Sequence, residues 1–214
     1  RIEVCGVHAD FQKPETFDDV IGAYEDQGVK IGSIGVETLV GDEAADRNRF
    51  DFARKAGCEC ISIHFNPDTY EEARKIAAKL VDEYGIKVGI HNHGGYHWLS
   101  NIQMLEHVFN TNDKQIGLVC DTAWAIDARH NPVEMMEQFI DRLYGIHFKD
   151  FTYTPERKNV DVPIGEGNLD LKAAVEMLNS RNYQGYAVYE YEGDPDDPIP
   201  AVKKCVDNLK AASA

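Results

Sequence analysis

The sequence predicts an α/β fold of the (β/α)8 barrel type, and three observations predict it. Short runs dense in Val, Ile and Gly alternate with longer segments of helical periodicity, the order that builds a parallel sheet covered by helices. The runs recur at roughly 28–30 residues, the spacing of barrel units. No GxGxxG follows the first run, so a doubly wound dinucleotide fold lacks its fingerprint. The glycine-rich pieces that do occur, Gly94–Gly95 and Gly165–Glu166–Gly167, have no phosphate-loop spacing.

Seven strands are expected, at Ile2–His8, Val29–Val36, Cys58–Phe65, Lys87–His93, Ile116–Asp121, Leu143–Lys149 and Tyr186–Tyr191. Their density in branched apolar residues suits strands buried on both faces. Between them, Thr16 precedes a helix over Phe17–Asp26. Asp68 and Glu71 have capping-box spacing at the start of Tyr70–Tyr84, and Gly85 follows as a C′ glycine. Inside that helix Ala73, Ile76, Ala77, Leu80 and Val81 recur on one face. Asn131, Pro132 and Glu134 open a helix over Val133–Asp141. Asn168 or Asp170 opens Leu171–Ser180, and Pro198 opens the last helix. Seven strands at this period fit a barrel lacking one βα unit, so residues 1–214 read as one N-terminally incomplete barrel domain. The absence of Met before Arg1 fits the same expectation.

At 214 residues and 43% hydrophobic, the chain has material for a real core. Its 22 basic against 37 acidic residues leave a net charge of −15, which argues against nucleic acid and against an anionic membrane surface. No run reaches the roughly 18 apolar residues of a membrane-spanning helix. The five cysteines are scattered, odd in number and without a CxxC pair, so reduced thiols and a cytoplasmic setting are expected.

Function is written in the strand ends. One run after another closes on a metal-capable or acid/base residue: His8, Glu37, His64, His91 with His93, Asp121, His147, and Glu190 with Glu192. Strand alternation puts His91 and His93 on one face, as it does His147 with Lys149 and Glu190 with Glu192. In a barrel these ends converge on the active-site face. Buried imidazoles and carboxylates there call for a cation or a polar ligand, and a mixed N/O set suits Mn, Co, Fe or Zn, with Mg favoured by oxygen-rich sites. Asp121, His147 and Glu190 form the firmest group, because each ends an apolar strand and they follow the βα period. His97, His107 and His130 fall in loop or helix positions and are set aside.

Five segments carry a resemblance: HisAsnHisGlyGly at 91–95, CysAspThrAlaTrp at 120–124, GlyIleHisPheLysAsp at 145–150, IleGlyGluGlyAsnLeuAsp at 164–170 and TyrGluTyrGluGlyAsp at 189–194. In order and spacing the chain resembles the xylose isomerase-like TIM-barrel superfamily, often labelled sugar phosphate isomerase/epimerase, from Ile2 to about Leu209. On that register the visible strands are the second to eighth. The resemblance implies one divalent metal ion held by four side chains. Asp121, His147 and Glu190 match three of them. The fourth is Glu in the family's Glu-Asn-His motif, and here that position is His91. Family epimerases pair that Glu with the last one as acid and base, so the substitution removes one carboxylate of the pair.

The metal candidates are therefore His91, Asp121, His147 and Glu190. Candidates for proton transfer are Glu190, His91 and His93, the last a ligand or a substrate contact. Lys149, Trp124, His64 and His8 are substrate-binding candidates, with Trp98 a further aromatic, and the polar stretch 152–167 is expected to fold over the site. The implied activity is a metal-dependent isomerase or epimerase of a sugar or sugar derivative, acting through an enediolate. A dehydratase of a keto-polyol such as an inosose on the same site is the alternative, and a non-catalytic sugar-binding barrel is a third reading. The expected partner is a small sugar or polyol, with no nucleic acid or membrane and with a homo-oligomer left open. Apurinic endonucleases of this fold use three zinc ions. Trp124 stands where they need a His, and no His lies between Phe148 and Gly165, so that activity is not expected.

Overall fold

The structure, a computed structural model, describes residues 1–112 and 114–213. Strands and helices alternate as expected: β1 (Ile2–Val4), α1 (Phe17–Glu25), β2 (Ile31–Leu39), α2 (Glu43–Ala56), β3 (Cys60–Phe65), α3 (Tyr70–Tyr84), β4 (Lys87–His91), α4 (Ile102–Thr111), β5 (Ile116–Asp121), α5 (Thr122–Asp127) and α6 (Pro132–Gln138). There follow β6 (Leu143–Phe148), β7 (Asp150–Tyr153), β8 (Asn159–Val162), α7 (Leu171–Ser180), β9 (Tyr186–Tyr189) and α8 (Ile199–Ala212). One sheet has the order β1-β2-β3-β4-β5-β6-β9, and β7 pairs with β8 in a second, antiparallel one.

The nine strands among the described residues correct the expected architecture. The first strand is not missing: β1 is present and pairs in parallel with β2, Val4 opposite Ile34. The expected count of seven passed over β7 and β8, whose four residues each include Thr152, Asn159 and Asp161 and so read as polar loop.

The chain divides into two compact units. The first comprises residues 1–91 and 106–119. Its strands bury Val4, Ile34, Ile61, Ile63, Val88, Ile90 and Leu118 completely. β4 and β5 approach so closely that a Cβ on Gly89 would stand 2.5 Å from Val119 Cγ2 and 2.9 Å from its backbone nitrogen. Helix α2 escapes the sequence reading because its charged run Asp46-Arg47-Asn48-Arg49 masks a buried face of Phe50, Phe52 and Ala53. Asp42 caps it, accepting from Ala44 N and Ala45 N at 3.0 Å, and Gly57 ends it at φ 72°. Phe52 meets Phe11 and Phe17 edge-on, both at 5.1 Å between ring centres. Gly85 closes α3 in the left-handed conformation, as expected. The expected Asp68 cap is not used: Asn66 accepts from Asp68 N and a short turn of 3-10 helix precedes α3.

The second unit comprises residues 92–105 and those from Cys120 onward. Asn131 caps α6 through Val133 N, with Pro132 in its first turn, and Asp170 caps α7 through Ala173 N. Met135, Met136, Ile146, Ala174 and Leu99 fill its core. The β7–β8 hairpin is tied down by Asp150. Its fully buried carboxylate accepts four backbone N–H groups, from Gly165, Gly167, Asn168 and Leu169, at 2.8–2.9 Å. Gly167 is obligatory there, since a Cβ would lie 2.5 Å from Asp150 Oδ1.

All five cysteines are free, and among the described residues no helix is long and apolar enough to cross a membrane.

Candidate metal centre

Asp121 ends β5 and caps α5, its Oδ1 accepting from Trp124 N at 2.8 Å. A side-chain amide clamps its backbone. Asn92 Nδ2 donates to Asp121 O and Asn92 Oδ1 accepts from Asp121 N, both at 2.9 Å, which imitates a strand pairing just where β4 has ended. The Asp121 carboxyl is fully buried. Burial first, and then the charge of Glu190, push it up to about 7.

His147, on β6, is gripped at both ring nitrogens. Glu190 Oε2 lies 2.8 Å from Nδ1 and the Tyr186 hydroxyl 3.1 Å from Nε2. Glu190 follows β9, its backbone donating to Phe148 O at 3.0 Å. Burial opposes its charge, but His147 and Lys149 hold its carboxyl well below the usual range. Lys149 is 1% exposed and donates to Glu190 Oε1 at 2.7 Å and to Glu192, with Asp161 Oδ2 at 3.8 Å. Burial pulls against this ammonium, yet the carboxylates around it raise its pKa above the ordinary value. Its backbone is fixed from the next strand end: the Thr122 hydroxyl accepts from Lys149 N at 3.0 Å and donates to Lys149 O at 2.6 Å.

His91 closes β4 and is buried. It completes a set in which His91, Asp121, His147 and Glu190 each offer one ligand atom, all within 4.8 Å of one another. Metal–ligand bonds of about 2.0–2.2 Å require such proximity. The chemistry of the donors fits a divalent cation of Zn, Mn, Co or Fe type: two imidazoles and two carboxylates, with the cost of ionising Asp121 beside Glu190 being what a cation would remove.

The other sequence candidates are not among the four donors. His93 lies beyond the end of β4 and outside the four-donor set, stacked on Trp124 at 4.2 Å and 22°. Phe151 meets the same Trp124 edge-on at 5.0 Å. His64 stands edge-on to His91, ring centres 5.6 Å apart. His8 is exposed on a turn four residues past β1, its Nδ1 3.2 Å from Cys5 N and 3.3 Å from Cys5 Sγ. Glu37 receives Arg49 Nε at 2.9 Å, burial pushing its carboxyl up against that pull. Trp98 begins a short 3-10 turn.

Sequence reasoning passed over Asn92, Thr122, Tyr186 and Asp161. Asn92 and Thr122 lie inside quoted motifs, so their positions were visible without their roles. Asp161, on β8, comes from the stretch expected to fold over the site. Its side chain is 9% exposed, and burial pushes its carboxyl up to about 6 against the opposing pull of Lys149.

The family described as xylose isomerase-like TIM barrel matches residues 12–212. An inosose dehydratase of Lactiplantibacillus plantarum is 32% identical over 145 residues, 59% of this chain and 45% of that protein. The chain thus spans about half the length of the curated relatives it matches. Among solved structures, a xylose isomerase domain protein from Planctomyces limnophilus superposes with a TM-score of 0.74 at 20% identity, over 98% of this chain and 86% of that one. The IolI protein with a bound zinc atom gives 0.69 at 18%, over 99% and 87%. At those identities the two structures establish likeness of fold.

Proposed function

The chain belongs to the xylose isomerase-like TIM barrel family, and from that premise we propose that it is a divalent-metal-dependent dehydratase of a keto-polyol of inosose type. One observation carries the reading: the His91, Asp121, His147 and Glu190 donor set, with the Lys149 ammonium on Oε1 of Glu190. The similarity to inosose dehydratases supports elimination over isomerisation. His91 supports it too, since a two-carboxylate epimerisation would need Glu at that position.

A cation held by these four side chains would supply Lewis acidity toward a substrate carbonyl and its neighbouring hydroxyl, and the zinc of the IolI structure makes zinc a metal to test. Glu190, held ionised by His147 and Lys149, serves as an anionic ligand and as a weak base. Lys149 donates to oxyanion charge as it develops. Dehydration takes a proton from the carbon beside the carbonyl and a hydroxyl from the next carbon, which leaves as water once protonated. Asp161, titrating at about 6, is suited to moving a proton near neutrality, and Lys149 links it to Glu190. Trp124 with His93 on its face offers a flat wall for a polyol ring.

The test supplies the protein, loaded with Mn²⁺, Co²⁺ or Zn²⁺, with a panel of inososes and ketoses in deuterated water. Loss of one water from an inosose, seen by mass spectrometry, is expected. Isomeric product of unchanged composition would move the assignment to isomerase or epimerase. No product and no carbon-bound deuterium across the panel would refute both.

A further inference from the structure

We propose that Tyr186 is a positioning residue for His147, gripping Nε2 so that Nδ1 is the nitrogen presented to the metal. The inference rests on the metal reading above and assigns a role to a residue outside the four donors. Its basis is the register of β6 against β9. His147 lies opposite Val188, and Tyr186 and Glu190 stand two residues to either side on the same face. One strand therefore reaches both ring nitrogens, the phenol to Nε2 at 3.1 Å and the carboxylate to Nδ1 at 2.8 Å. The phenol ring meets the imidazole edge-on at 82°, and its own backbone carbonyl accepts from the Tyr183 hydroxyl at 3.2 Å. Turning the imidazole would break both hydrogen bonds at once.

The choice of a hydroxyl matters. When a proton-bearing Nδ1 donates to Glu190, Nε2 is an acceptor and needs a donor. When Nδ1 is given over to a cation, Nε2 carries the proton and needs an acceptor. A phenol hydroxyl is both, whereas a carboxylate or carbonyl can only accept. Tyr186 therefore holds the ring in one orientation through both arrangements. Removal of such an outer partner typically lowers metal affinity about 10- to 100-fold.

The experiment titrates Zn²⁺ and Co²⁺ into wild type, Tyr186→Phe and Tyr189→Phe, using a competing chelator dye. Tyr189 is exposed on the opposite face of β9 and serves as the control. The expected result is a loss of about 10- to 100-fold for Tyr186→Phe and none for Tyr189→Phe. The melting curves of all three in excess chelator should agree within a few degrees. Equal affinity of Tyr186→Phe and wild type would overturn the proposal while leaving the metal site intact. Wild type that binds neither ion would refute the metal reading itself. Nitrogen-15 spectra of histidine-labelled, Zn²⁺-loaded wild type give a second measurement that needs no variant. Nδ1 metal-bound with Nε2 protonated supports the proposal, and the reverse overturns it.

Discussion

Replacing Asp161 by Asn is expected to stabilise the fold while damaging the reaction. Asp161 is nearly buried beside Lys149, a pairing that at first sight reads as stabilising. The balance runs the other way. Burial outweighs the pull of Lys149, and Glu192 and Glu190 add repulsion, so the carboxyl titrates at about 6 instead of 3.8. Well below pH 3.8 the group is protonated in the folded and unfolded chain alike and has no effect. As pH rises toward 6 the unfolded chain ionises freely and the folded one does not, so stability is lost. Above 6 the full cost stands, about 3 kcal/mol for that gap. Asn removes the charge but leaves Lys149 a weaker partner, so a net gain of about 1–3 kcal/mol is expected at pH 8, falling to about 0.5 kcal/mol or less at pH 4. For a chain of this size that raises the melting temperature by roughly 3–10 °C. Urea unfolding in chelator at pH 4, 6 and 8 measures it. An Asn variant less stable than wild type at pH 8 would show that the Lys149 attraction dominates and would refute the reasoning. Turnover of the same variant should fall about 100-fold or more, the usual size of a lost acid/base contribution.

Asp121→Ala is expected to abolish retention of Zn²⁺ or Co²⁺ after desalting, read by elemental analysis; wild-type metal content would remove Asp121 from the site. Asp150→Ala leaves the amides of Gly165, Gly167, Asn168 and Leu169 without their acceptor. A loss of about 2–3 kcal/mol is expected, with faster hydrogen exchange confined to 163–169; unchanged protection there would contradict the anchor. Gly89→Ala drives a methyl into Val119 and should destabilise by about 1–3 kcal/mol in urea unfolding. Gly22→Ala, a helical position with open space around it, should instead stabilise by about 0.5–1 kcal/mol.

What the sequence made legible follows from which interactions are local. Asp121, His147 and Glu190 could be read because parallel strands of one period end on one side, so strand ends alone bring them together. His91 was readable only through its motif, because nothing in HisAsnHis says which imidazole the chain keeps in register. The structure shows why: β4 stops at His91, Asn92 turns to clamp Asp121, and His93 is carried out to Trp124. His8 lies off the strand it was expected to end for the same kind of reason. β1 ends at Val4, four residues short of the expected end, and a tight turn bonding His8 N to Cys5 O intervenes. Asp161 was hidden because a four-residue strand with alternate polar side chains has no apolar signature.

Tyr186 marks the boundary between the two kinds of information. The alternation that put Glu190 and Glu192 on one face applies equally in the other direction along β9, to Val188 and Tyr186. The sequence therefore held the face on which Tyr186 lies. It did not hold the offset between β6 and β9, because that offset depends on pairing residues about forty positions apart in the chain. A shift of two residues would preserve every face assignment and still carry Tyr186 out of reach of Nε2. Periodicity thus identifies the groups on a face, whereas register decides which of them touch, and at this centre Asp121, His147 and Glu190 follow from the first, His91 from its motif, and the grip on His147 from the second.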